Sequence, residues 1–220
     1  MPKRVGLAVA VALLAAVGLA PGAAAAAKAD RCRLPHGAKV LAKSRQLLVY
    51  KDSNWEDLYF FCVRPNGRRQ NLLTPEDEFS VVSSRPVGDF RLVGRYAAFR
   101  YRWQRPPCSE VNPCAPGQPL SGYRVAINRP GNDPVEADVG RQDTTFGLTA
   151  GGVLAWLTAV EGGEELRVLG GPFGGIGPTG IQAPARVVDS GAIDPASFSV
   201  RGTTLSWSNA GTPKTFSLSG

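Results

Sequence analysis

Four stretches of the chain share one pattern of apolar and polar positions: LAKSRQLLVY (41–50), FRLVGRYAAF (90–99), FGLTAGGVLAW (146–156) and FSVRGTTLSW (198–207). Each has an apolar start, a turn, and then an apolar residue followed two positions later by an aromatic one. The closing pairs are Leu48/Tyr50, Ala97/Phe99, Leu154/Trp156 and Leu205/Trp207, and their aromatics lie 49, 57 and 51 residues apart. The turns carry Gly94, Gly151, Gly152 and Gly202, or Ser44-Arg45 in the first copy. Glycine supplies the positive φ that tight hairpin turns require, so each stretch predicts a β-hairpin. Further strand-like runs follow each copy: LYFFCVRP (58–65), GYRVAINRP (122–130), EELRVLG (164–170) and KTFSLSG (214–220). In Tyr59/Phe61/Val63 and Tyr123/Val125/Ile127 the apolar residues alternate with period two, as half-buried strands do. The pattern predicts three units of about four short strands and a last unit of three.

Four strands in roughly 50 residues is the dimension of a propeller blade. The pattern resembles the secreted, WD-repeat-like β-propellers, in particular uncharacterised exported propeller-like proteins of actinobacteria. The resemblance runs over residues 38–220, without the Gly-His and Trp-Asp dipeptides of that group. It implies an architecture of about four blades and no residue-level activity. A small β-sandwich is the alternative reading of the same alternation. In many propellers the N-terminal segment supplies the strand missing from the last blade. Residues 31–36 are placed for that role, with Pro35 limiting them to a short edge strand.

The segment ahead of the repeats has a different character. Lys3 and Arg4 precede an uncharged apolar run from Val5 to Leu19, Pro21-Gly22 break it, and Ala25-Ala26-Ala27 fit a small-residue cleavage site. Residues 1–29 therefore read as a secretory signal peptide with a helical apolar core and Lys28 as first mature residue. Residues 30–220 read as a single all-β propeller-like domain. No later apolar stretch reaches the length needed to span a bilayer, so no membrane span is expected after cleavage. The expected location is the cell envelope or the extracellular space. Four cysteines in an exported chain predict two disulfides. Of the three possible pairings, the short proline-rich loop holding Cys108 and Cys114 favours joining those two, which leaves Cys32 with Cys62.

Charge changes the picture little. The formal charge of +7 falls to +5 when Lys3 and Arg4 are removed. The excess is scattered, whereas nucleic-acid binding needs a concentrated basic stripe, so no nucleic-acid partner is expected. Gly175-Ile-Gly177-Pro-Thr-Gly180 matches a dinucleotide-binding fingerprint in letters only, because Ile181 to Pro184 cannot open the required helix. No cofactor is expected. One histidine, His36, and unsuitable cysteine spacing imply no metal site. Glu56/Asp57, Glu76/Asp77/Glu78, Glu164/Glu165, Asp189 and Asp194 are the carboxylates from which a glycosidase pair would have to come.

The tryptophans carry the remaining signal. Trp156 and Trp207 are in phase with the repeat and are expected in the core. Trp55 and Trp103 are not. With the strands of a blade lettered a to d, both fall at b–c loops, on one rim with Arg100, Arg102 and Arg105. Aromatic rings beside guanidinium groups are enriched at binding hot spots. The expected function is a non-catalytic binding or interaction module, its partner a cell-wall glycan or an exported protein. The alternatives are a hydrolase acting on an envelope polysaccharide and a structural subunit that pairs through an open sheet edge.

Overall fold

The computed structural model describes residues 30–53, 58–72, 83–86, 88–104, 116, 119–131, 134–170 and 185–218. Their regular structure is β-strand, arranged in four antiparallel sheets that follow one another along the chain. The first sheet holds β1 (Lys39–Lys43), β2 (Leu47–Lys51), β3 (Tyr59–Val63) and β4 (Arg68–Asn71). The second holds β5 (Ser83–Pro86), β6 (Arg91–Val93), β7 (Tyr96–Gln104), β8 (Ser121–Asn128) and β9 (Val135–Asp138). Here β5 and β6 pair with successive parts of one edge of β7 and together form an interrupted inner strand. The third sheet holds β10 (Phe146–Leu148), β11 (Leu154–Val160), β12 (Gly163–Leu169) and β13 (Arg186–Gly191), and the fourth β14 (Ile193–Arg201), β15 (Thr204–Asn209) and β16 (Thr212–Ser217).

The four repeated stretches are the hairpins β1–β2, β6–β7, β10–β11 and β14–β15. Gly94 and Gly202 turn two of them at φ 56° and 59°, a left-handed conformation that costs glycine little. In the first hairpin a serine side chain replaces that device. Ser44 Oγ accepts hydrogen bonds from the N–H groups of Leu47 (3.0 Å) and Gln46 (3.3 Å).

Successive sheets pack face to face, in the manner of propeller blades rather than the two layers of a sandwich. Each closing aromatic points back at what precedes its sheet. Phe99 packs with Leu47, Val49 and Phe61 of the first sheet. Trp156 packs with Val125 and Ile127 of the second. Trp207 packs with Leu166 and Val168 of the third. Tyr50, on the outer face of the first sheet, stacks on Phe60 at 5.5 Å, beside Cys32 and Cys62. The residues between these aromatics point forward: Val49, Ala98 and Leu157 are apolar and buried against the next sheet. In the fourth sheet the corresponding residues are Ser206 and Ser208, and Ser206 lies in a cross-strand row with Ser199 and Thr215. A hydroxyl-bearing face offers little apolar area to bury. Among the described residues, no core cluster joins the fourth sheet to the first.

The N-terminal arm does not complete the fourth sheet, which has three strands. This corrects the expectation for residues 31–36. The arm lies on the first sheet instead: Cys32 is disulfide-bonded to Cys62 in β3, Arg31 N–H donates to Arg64 O at 2.9 Å, and Arg64 Nε meets Asp30 Oδ2 at 2.9 Å. A covalent bond and an ion pair to one sheet outweigh the few edge hydrogen bonds a proline-bearing strand would gain on another. The fourth sheet therefore ends at β16. Pro213 and Lys214 on that strand are residues that discourage edge-to-edge pairing.

One polar cluster ties the third sheet to the fourth. Asp189 Oδ2 on β13 accepts from Trp207 Nε1 (2.6 Å) and Asn209 Nδ2 (2.9 Å), and Lys214 Nζ reaches both carboxylate oxygens. Burial alone would raise the Asp189 pKa. The donors from Asn209, Lys214, Trp207 and the Ser190 N–H outweigh it and hold the group at about 2, against 3.8 for a free aspartate. A carboxyl whose pKa is lower folded than unfolded stabilises fully above 3.8, and that contribution is lost as pH falls through about 2. The stability gap between wild type and Asp189→Asn should therefore be widest above 3.8 and close towards pH 2. Urea unfolding of both proteins across that range measures it; a gap independent of pH would contradict the role given to Asp189.

Candidate ligand-binding site

The inner strands of the second, third and fourth sheets converge. Between β6, β10 and β14 lies a cavity of about 420 Å³. Each wall follows from the local sequence. Val93 and Phe146 turn towards the second–third junction, and Phe198 and Val200 towards the third–fourth. Phe90, before β6, tilts against Phe99 with 5.9 Å between ring centroids. Gly147 sets how closely β14 approaches, because a Cβ at that position would collide with Val200 Cγ2. The polar side chains among the described lining residues are Arg91, Thr145 and Ser199, and none of these lining residues is a carboxylate, a histidine or a cysteine. Most of the lining side chains are apolar, the surface presented to the cavity is about equally polar and apolar, and the volume is at the low end of the roughly 300–1,000 Å³ that small-molecule sites occupy.

The backbone of β10 adds to this. Leu157 N–H donates to Thr145 O at 3.0 Å and Thr149 N–H to Val153 O at 2.9 Å. In an antiparallel pair, hydrogen-bonded and non-hydrogen-bonded residues alternate. Residues 145, 147 and 149 therefore bond to β11, while the N–H and C=O groups of Phe146 and Leu148 point off the strand's other edge, which pairs with no strand among the described residues.

The residues singled out from the sequence lie elsewhere. Trp55, Arg105, Cys108 and Cys114 are outside the described residues, as are Glu56, Asp57, Glu76, Asp77 and Glu78. Trp103 is 5% exposed, on the face of β7 that meets the first sheet, with the Arg124 guanidinium 5.1 Å from its ring centroid. Arg100 is buried on the opposite face, where it donates to Thr144 O (3.2 Å) and Asp89 Oδ2 (2.7 Å). Arg102 is exposed. Trp103 and the two arginines therefore do not share an exposed surface. The cysteine pair Cys32–Cys62 is bonded as the spacing suggested. Of the carboxylates, Glu164 pairs with Arg141 (2.7 Å), Glu165 with Arg167 (2.6 Å) and Asp189 with Lys214 (2.9 Å), while Asp194 accepts from Ala196 N–H (3.0 Å). None of these four lines the cavity. His36 is exposed, and its backbone carbonyl accepts from Ser53 Oγ at 2.9 Å.

No family model matches the sequence, and no curated protein does. Among solved structures, a chain from a structural and mechanistic study of two prolyl endopeptidases matches with 11% identity and a TM-score of 0.28, over 82% of this chain and 33% of that one. This chain thus spans about a third of the other's length. The architecture described above rests on strand pairing and core packing, not on that likeness.

Proposed function

We propose that this chain is an exported binding module of the cell envelope or extracellular space, with its ligand seat in the cavity among the inner strands. The observation that carries the reading is the convergence of β6, β10 and β14, from three sheets, on one concavity that presents both apolar side chains and polar groups. Walls contributed by three packed sheets preform the site, and a preformed site loses less entropy when a ligand enters. The Cys32–Cys62 disulfide belongs with oxidising compartments, and no helix among the described residues is long and apolar enough to cross a membrane. The disulfide supports export.

The test uses the chain recovered from an exporting host, with Lys28 expected at its N-terminus. The neutral dye N-phenyl-1-naphthylamine should bind it saturably with one site per chain. Thr145→Phe places a ring at a half-buried lining position and should abolish that binding while the melting temperature stays within a few degrees of wild type. Dye binding unaffected by Thr145→Phe would remove the cavity from consideration as the seat.

A further inference from the structure

Resting on that seat, we infer that its ligand is a small amphiphile with an anionic head, held by Arg91 over the apolar side chains of the cavity. Arg91 is the one charged residue among the described residues of the lining. Its guanidinium lies 5.6 Å from the centroid of the Phe146 ring. Some arginines of the fold are neutralised by carboxylates, among them Arg64 by Asp30, Arg100 by Asp89 and Arg124 by Asp138. Among the described residues no carboxylate pairs with Arg91, which is exposed at the cavity.

A guanidinium resting on an aromatic face keeps its N–H groups at the rim of the plane, where they can take a carboxylate or sulfonate with two parallel hydrogen bonds. The Phe146 N–H, which points off the edge of β10, adds a donor to the same wall. With no carboxylate among the described lining residues to repel it, an anion meets one positive charge and backbone donors, while its apolar body meets Val93, Phe146 and Phe198. A neutral ligand of the same shape would gain the apolar contacts only. A cation would be repelled by Arg91.

Two dyes with the same ring system separate these terms. 1-Anilinonaphthalene-8-sulfonate carries an anionic head, and N-phenyl-1-naphthylamine lacks it. With the full exported chain the sulfonate should bind roughly tenfold more tightly than the neutral dye, the scale of one charge-assisted hydrogen-bonded contact. Arg91→Ala should remove that advantage and leave the neutral dye within about twofold of wild type. Arg91→Lys should restore part of it, because charge returns without the planar fork. Arg91 is exposed, so these variants should fold, and unchanged near-ultraviolet circular dichroism confirms it. If Arg91→Ala binds the sulfonate as tightly as wild type does, the anionic-head inference is wrong while the seat stands. If neither dye binds, the seat itself is wrong.

Discussion

Trp156→Ala should cost about 3–5 kcal/mol of folding stability, the usual range for truncating a buried large aromatic residue. Trp156 is fully buried and packs with Val125, Ile127, Phe146 and Leu169, and so joins the second sheet to the third. It stands directly opposite Phe146 across β10–β11, in a position that is not hydrogen-bonded, where cross-strand side chains come closest. Removing the indole leaves a hole where two sheets and a cavity wall meet. Against a typical domain stability of about 5–15 kcal/mol, that loss is a large fraction of the whole. Trp156→Phe separates packing from polarity. The indole Nε1–H is buried with no acceptor. Burying an unpaired donor costs about 1–3 kcal/mol, so phenylalanine loses area but relieves that cost. The expected loss for Trp156→Phe is under about 2 kcal/mol by urea unfolding. Equal losses for the two variants would show that the indole N–H contributes to stability after all.

Cys32→Ala combined with Cys62→Ala should cost about 3–4 kcal/mol by the loop-entropy relation, the bonded cysteines being 30 residues apart. This double variant leaves Cys108 and Cys114 untouched, so the loss belongs to one bridge. The effect should also be local. Cys62 is fully buried beside Leu48 and Tyr50, and the arm covers the Tyr50–Phe60 face of the first sheet. Without the bridge, Arg31 and Arg33 should become early sites of tryptic cleavage. A variant that keeps wild-type stability and resists trypsin at those sites would assign the cap to the Asp30–Arg64 ion pair and the Arg31–Arg64 backbone bond alone.

The strands were legible because hairpin chemistry is local. Gly94 and Gly202 mark turns by backbone sterics, and Phe99, Trp156 and Trp207 mark core positions by size and phase. The burial of Trp103 and Arg100 was not legible. Alternation along YAAFRYRWQ reads as one wet face and one dry face. A sheet in the middle of a stack has two covered faces, and both Trp103 and Arg100 are buried, on opposite sides. The choice of partner for residues 31–36 was hidden for a related reason. It depended on a disulfide and an ion pair to the first sheet, whereas the sequence pattern showed only a strand missing from the fourth. The cavity was the least visible feature. Its residues come in short groups near 91, 146 and 199, one per repeat, and no window of sequence contains more than one wall. Arg91 stands out only once it is placed at the cavity, against the Phe146 ring.

The hydroxyl face of Ser199, Ser206 and Thr215 has a consequence for motion. A unit in a linear array is held by the interfaces it shares with its neighbours. The middle sheets share two and the fourth sheet shares one, so its opening free energy should be lower than theirs, and its amides should exchange with deuterated solvent before those of β7, β8 or β11. Its inner strand, β14, is also a wall of the cavity. Passage of a ligand in or out can therefore proceed by transient loosening of the last sheet, on a timescale far shorter than that of global unfolding.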